Sequence, residues 1–112
     1  MLVVEDDSDI ASLLSEILEN EGYAPVAVSD GVSVDAHLEP RPDLIVLDLR
    51  LGRGGAEQIL DSVRARGMGD VPVLLLSAAG DLADRARALG IKTYLAKPFE
   101  LEELLIVVRG LA

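Results

Sequence analysis

Residues 43–48 read Asp-Leu-Ile-Val-Leu-Asp. Consecutive aliphatic side chains leave no polar face, so a strand formed here must be covered on both sides. Pro40 and Pro42 fence the run off upstream, and it is too short for an ordinary helix. It stops on Asp48, well before residue 55, where a helix cap would be expected. A strand buried on both faces belongs to a parallel sheet sandwiched between helices, and the rest of the chain follows from that.

Three further apolar runs end in the same manner. Leu2-Val3-Val4 gives way to Glu5-Asp6-Asp7, Val73-Leu74-Leu75-Leu76 to Ser77, and Thr93-Tyr94-Leu95-Ala96 to Lys97-Pro98. Between them lie helical patterns. Residues 8–21 carry Ile10, Leu13, Leu14, Ile17 and Leu18 on one buried face, with Asp7 or Ser8 as cap and Gly22 as stop. Residues 24–28 read as a short strand with Pro25 near its start. Residues 31–38 read as a short helix ended by Pro40 and Pro42. Gly52, Gly54 and Gly55 form a loop before a helix that buries Ala56, Ile59, Leu60 and Val63. A helix over 81–89 buries Leu82, Ala86 and Leu89 and closes at Gly90. Pro98 sits at the first position of a last helix through Arg109, where its missing N–H costs nothing. That helix carries Leu104 to Val108 in a row, more apolar surface than one buried stripe needs, through burial or through a partner. Strand and helix thus alternate throughout, which specifies right-handed crossovers and a parallel sheet with helices on both faces. The fold class is α/β, with one domain over residues 1–112.

Half of the 112 residues are apolar and 3% are aromatic, so the core is expected to be aliphatic. The absence of cysteine excludes a disulfide framework and a thiolate metal site. Ten basic against twenty acidic side chains give a formal net charge of −10, which repels phosphate backbones and argues against direct nucleic-acid binding. Short, charge-interrupted apolar runs exclude a membrane span, and the first residues lack the basic flank and length of a signal peptide. A cytoplasmic protein is the simplest expectation.

If the strands are parallel, their carboxyl ends share one edge, where open α/β sheets place ligands. The groups expected there suit phosphoryl chemistry. Asp48 can act as a nucleophile towards phosphorus. Glu5, Asp6 and Asp48 offer carboxylate oxygens to Mg²⁺, which takes one or two carboxylates and keeps several waters. Packed without a cation these groups repel one another. Lys97 can hold a phosphoryl oxygen as a point charge, and Ser77 can donate to another. Asp7 reads as a helix cap and His37 as a surface residue. The glycines at 52–55 are no Walker loop, since no Gly-Lys-Ser/Thr follows.

Taken together, Val3-Val4-Glu5-Asp6-Asp7, Leu47-Asp48-Leu49, Leu76-Ser77-Ala78 and Tyr94-Leu95-Ala96-Lys97-Pro98-Phe99 resemble the receiver domain of bacterial two-component response regulators, of the chemotaxis-regulator-like kind. The resemblance spans essentially the whole chain. It implies a doubly wound five-stranded parallel sheet in the flavodoxin-like order 2-1-3-4-5. It makes Asp48 the phosphoacceptor for a phosphoryl group from a histidine kinase phosphohistidine. Asp6 matches the direct Mg²⁺ ligand, Glu5 a ligand acting through water, and the backbone carbonyl of Arg50 a further ligand. Ser77 matches the switch hydroxyl, Tyr94 the aromatic whose rotamer follows it, and Lys97 the phosphoryl-binding lysine, with a cis bond to Pro98.

The same resemblance implies a signalling switch rather than a turnover enzyme. The expected partners are a sensor histidine kinase or histidine phosphotransfer protein. A homodimer or output domain would meet the face made by the fourth helix, fifth strand and fifth helix, with no nucleic acid or membrane bound by this segment. The chain departs from the family pattern in four places. Gly52 stands where proline is usual, the 52–55 stretch lacks the usual ending, the stretch from Ser77 to Lys97 is slightly short, and the first strand begins at residue 1. Arg50 and Ala79 occupy positions that flank the phosphoryl group and influence its hydrolysis. Two alternatives remain from other classes. One is a degenerate receiver that only docks or dimerises. The other is a phosphatase of the haloacid-dehalogenase type, which would want a carboxylate where Arg50 stands.

Overall fold

The computed structural model describes residues 1–30, 34–49, 55–78 and 80–111. Its strands are β1 (Leu2–Val4), β2 (Val26–Val28), β3 (Ile45–Asp48), β4 (Val73–Ser77) and β5 (Thr93–Ala96). Its helices are α1 (Ser8–Asn20), α2 (Ala56–Ala65), α3 (Leu82–Leu89) and α4 (Leu101–Leu111). All strand pairs are parallel and the order is β2-β1-β3-β4-β5, the doubly wound order expected.

Period-two alternation sorts the aliphatic strands onto two covers. Leu2, Val4, Ile45, Leu47 and Leu75 face one side, in one cluster with Ile59, Leu60 and Val63 of α2 and Leu82 and Ala86 of α3. Val3, Leu44, Val46, Leu74 and Leu76 face the other, with Leu14 and Leu18 of α1 and Leu104 and Val108 of α4. Every residue of β3 is buried, which is why its sequence shows no polar alternation. The core is aliphatic, as the composition requires.

The helix boundaries follow local chemistry. Asp7 caps α1, its Oδ1 accepting the N–H groups of Asp9 and Ile10 at 3.0 and 3.2 Å. Gly22, at φ +92°, ends it. Four expectations need correction. Leu13 does not belong to the buried face of α1; it is exposed, and the smaller Ala11 is buried in the turn above Leu14. Leu89 is half-buried at the edge of its cluster, not deep in it. The short helix after β2 is a single 3₁₀ turn, Val34–His37, whose Val34 and the following Leu38 are buried; residues 31–33 lie outside the described residues. Pro98 is not the first residue of the last helix. The Lys97–Pro98 bond is cis, and α4 starts three residues later at Leu101. There the Glu100 N–H donates to Glu103 Oε1 at 3.2 Å, one half of a capping box. The Leu104–Val108 row splits, with Leu104, Leu105 and Val108 buried and Ile106 outward.

Candidate functional site

Because the strands are parallel, the residues that end or follow β1, β3, β4 and β5 lie along one edge. The register sets Asp48 beside Leu76, and Ser77 beside Ala96. The backbone ladder continues past each strand. Glu5 N–H donates to Val28 O at 3.0 Å, Leu49 N–H to Leu76 O at 2.9 Å and Lys97 N–H to Ser77 O at 2.8 Å. The chain is therefore still fixed where the polar side chains begin. Strand order reverses between β1 and β3, so Glu5 and Asp48 flank the switch point of the sheet.

The side chains converge. Glu5, Asp6 and Asp48 each present a carboxylate oxygen, and these oxygens lie within 4.8 Å of one another. Glu5 and Asp48 are buried and Asp6 is exposed, so the cluster has a closed floor and an open side. Lys97 Nζ bridges the two buried acids, at 2.9 Å from Glu5 Oε2 and 3.5 Å from Asp48 Oδ2. The other Glu5 oxygen accepts the Asp7 N–H at 3.2 Å. Ser77 is fully buried at the adjacent strand end.

The electrostatics follow from this geometry. Burial pushes the Glu5 carboxyl above its ordinary value; Asp48 adds to the push, while Lys97 and the Asp7 N–H oppose it. Burial by itself would lower the Lys97 ammonium, but its hydrogen bond to Glu5 and the Asp48 charge outweigh burial and hold it above its ordinary value. Lys97 thus stays charged and offsets part of the repulsion within the cluster. An all-oxygen, carboxylate-rich set with one open side fits a hard divalent cation such as Mg²⁺.

The geometry brings together Glu5, Asp6, Asp48 and Lys97, with Ser77 one strand away. Tyr94 stands apart, exposed on β5 beside Leu75. Arg50, Gly52, Gly54 and Ala79 lie outside the described residues. The Glu5–Lys97 pair is the feature that reading the residues did not anticipate, for Glu5 was expected to face a water on the metal. One signal was available: a carboxylate directly after a fully buried strand requires a cation or donors.

A doubly wound parallel sheet of this order, with acidic groups at its switch point and a lysine reaching them from the end of β5, defines a flavodoxin-like α/β fold. The family model of the response regulator receiver domain matches residues 1–109, and the chain belongs to that family, which operates in two-component signalling. It is 38% identical to the phosphate regulon transcriptional regulatory protein PhoB of Escherichia coli, over 98% of this chain and 50% of that protein. It is 36% identical to the DNA-binding dual master transcriptional regulator RpaA of Synechocystis, over 99% of this chain and 48% of that protein. The chain therefore spans about half the length of these curated relatives. Among solved structures, chemotaxis protein CheY4 of Vibrio cholerae superposes with a TM-score of 0.87 at 25% identity, covering 99% of this chain and 96% of that one. NtrX of Brucella abortus gives a TM-score of 0.87 at 30% identity over 98% of this chain and 25% of that one. Among the described residues, no helix is long and apolar enough to cross a membrane.

Proposed function

We propose that residues 1–112 form one receiver domain that works as a phosphorylation-dependent switch in the cytoplasm. Asp48 takes a phosphoryl group from the phosphohistidine of a sensor kinase or phosphotransfer protein. The observation that carries this reading is Asp48 itself: a buried carboxylate ending a central strand, clustered with two further acids and 3.5 Å from an ammonium. Phosphoryl transfer needs little beyond an in-line nucleophile and neutralisation of charge. A carboxylate oxygen of Asp48 bonds to phosphorus as the bond from phosphorus to the donor imidazole nitrogen breaks. Lys97 neutralises charge from the β5 side and can turn from Glu5 to a phosphoryl oxygen. Ser77 supplies a hydroxyl at the neighbouring strand end.

Glu5, Asp6, Asp48 and the Arg50 carbonyl would hold Mg²⁺, whose charge favours the doubly negative phosphoryl group. The read-out is a population shift between two arrangements. Ser77 and Lys97 draw inward, Tyr94 follows, and the face of α3, β5 and α4 changes. This is the fourth-helix face of the sequence reading, the second helix being the 3₁₀ turn. Tyr94, Leu101 and Ile106 expose apolar surface on these elements, which suits a second copy or an output domain. PhoB and RpaA are named as transcriptional regulators, and a comparable output is proposed here. The domain modifies itself and turns over no external metabolite. The test is Mg²⁺-dependent labelling by acetyl phosphate. The wild type takes up one phosphoryl group, and Asp48→Asn takes up none; equal labelling of the variant would overturn the reading.

A further inference from the structure

We infer that a cavity at the amino edge of the sheet binds a small organic oxyanion, a carboxylate or a phosphate monoester carried on an apolar body. The cavity lies where β4 and β5 begin, so it is separated from Asp48 by the length of the strands and stands independently of the switch reading.

The cavity has a volume of about 370 Å³, within the usual range of small-molecule sites. Its lining combines two kinds of surface. Leu60 and Val63 of α2, with Val71 and Ile91, are buried residues that give it an aliphatic wall. Thr93, the first residue of β5, adds a hydroxyl, and the exposed Arg64 and Lys92 add two cations. Arg64 is held in place across the mouth. Its Nη2 donates to Leu89 O at 2.6 Å, which uses one of the five donors of a guanidinium. Gly69 and Gly90 leave room for it, since a Cβ there would stand 3.6 Å from Arg64 Cγ and 3.4 Å from Nη2. A guanidinium steadied by one donor keeps the rest of its planar fork for a carboxylate or a phosphate.

The charge pattern selects an anion. The chain carries twenty acidic against ten basic side chains, so a cation has no shortage of partners. Among the described lysines and arginines, Arg41, Arg66, Arg87, Arg109 and Lys97 each hold a carboxylate, whereas Arg64, Arg85 and Lys92 hold none. Arg85 still has Glu57 and Asp61 beside it in the groove between α2 and α3. Arg64 and Lys92 open onto the cavity, where Asp70 is the one acid among the described lining residues, and Arg41 already neutralises it. Two cations therefore face an apolar wall with no carboxylate left to them. The acidic remainder of the surface repels an anion, which confines the attraction to this cavity.

NMR titration of the intact chain in Mg²⁺-free buffer tests this, with phenyl phosphate, benzoate, inorganic phosphate and benzyl alcohol as probes. Phenyl phosphate or benzoate should shift the Gly69, Gly90 and Thr93 amides saturably and leave those of Glu5 and Leu49 in place. The tighter of the two identifies the oxyanion. Inorganic phosphate should bind about tenfold more weakly for want of an apolar body, and benzyl alcohol should not saturate. Arg64→Met should weaken binding about tenfold, the size of one charge-assisted hydrogen bond, and Arg64→Lys should recover part of it. Lys92→Met, at an exposed position, should weaken it about threefold. Arg109→Met removes the same charge from the other face of the sheet and should change affinity less than about twofold. Shifts that fail to saturate, or that centre on Glu5 and Asp48, overturn the site. Equal binding of benzyl alcohol, or an equal loss in Arg109→Met, overturns its selection of an anion.

Discussion

Charged pairs occur in two settings in this molecule, and they do opposite things. On the surface, Arg41 meets Asp70, Arg87 meets Asp84 and Arg109 meets Glu21, with side chains one-third to four-fifths open to water. At the carboxyl edge of the sheet, Lys97 meets Glu5 and Asp48, whose side chains are 2% and 6% exposed. The surface pairs balance one cation against one anion and are screened by solvent. The edge cluster sets one described ammonium among three carboxylates, two of them out of water. Such an arrangement is a poor way to hold a fold together, since desolvation offsets much of the attraction. It is a suitable way to hold a site ready for a cation and a phosphoryl group.

The largest test of that contrast is Lys97→Met, which keeps the stem and removes the charge. Glu5 and Asp48 then face each other without the ammonium. Removing one partner of a buried ion pair costs about 3–5 kcal/mol, and the partial exposure of Lys97 places the loss near the lower bound, about 3 kcal/mol. Urea unfolding at neutral pH in a chelator should show it, and millimolar Mg²⁺ should restore a large part. A loss below about 1 kcal/mol would put the edge cluster in the same class as the surface pairs. Asp48→Asn is the converse. It removes an acid while Lys97 keeps Glu5, so apo stability should stay level or rise.

Much of this was readable in the chain because parallel strands advertise themselves. The aliphatic run ending at Asp48 and the caps at Asp7 and Gly22 are local signals with local causes. The strand-end residues Asp6, Asp48, Ser77 and Lys97 follow once the runs are taken as neighbours. The Glu5–Lys97 pair was not readable, since β1 and β5 are separated by β3 and β4 and contact between their ends depends on strand order and side-chain reach. Leu13 illustrates a different limit. Helical spacing gives the mean direction of a face, and whether its margin is covered depends on the neighbouring elements. Pro98 was read in two ways: the cis bond that the resemblance implied is present, but the helix start is not. Proline suits both a helix start and a cis turn, and residue type alone does not choose between them.

A smaller effect comes from pH. Burial holds the Glu5 carboxyl above its ordinary value, so the folded chain binds this proton more tightly than the unfolded chain. Linkage then gives the sign. The Glu5 contribution is most favourable in acid and declines as pH rises from the ordinary carboxylate value through the raised native one. Glu5→Gln carries no such proton, so wild-type stability relative to this variant should fall across that window. The Lys97 ammonium is shifted upward, so its own contribution persists through neutrality and is lost only as pH rises through its raised value. Denaturation of the two proteins from pH 4 to 8 should show the first trend, and a flat difference would mean that Glu5 is as well solvated as a surface acid.

The smallest effect should come from Arg41. Its guanidinium holds the Asp70 carboxyl below the ordinary value, and both side chains are widely exposed. Water and salt screen such a pair, and the long arginine loses rotamer freedom to make it. Arg41→Ala should leave the melting temperature within the scatter of replicate scans, and 0.5 M salt should erase any residue of the difference. The contrast with Lys97 then rests on burial and not on the number of charges in contact. If Arg41→Ala instead destabilised the chain as Lys97→Met does, the ion pair between the segment before β3 and the segment before β4 would be structural, and the carboxyl edge would lose its claim to a separate role.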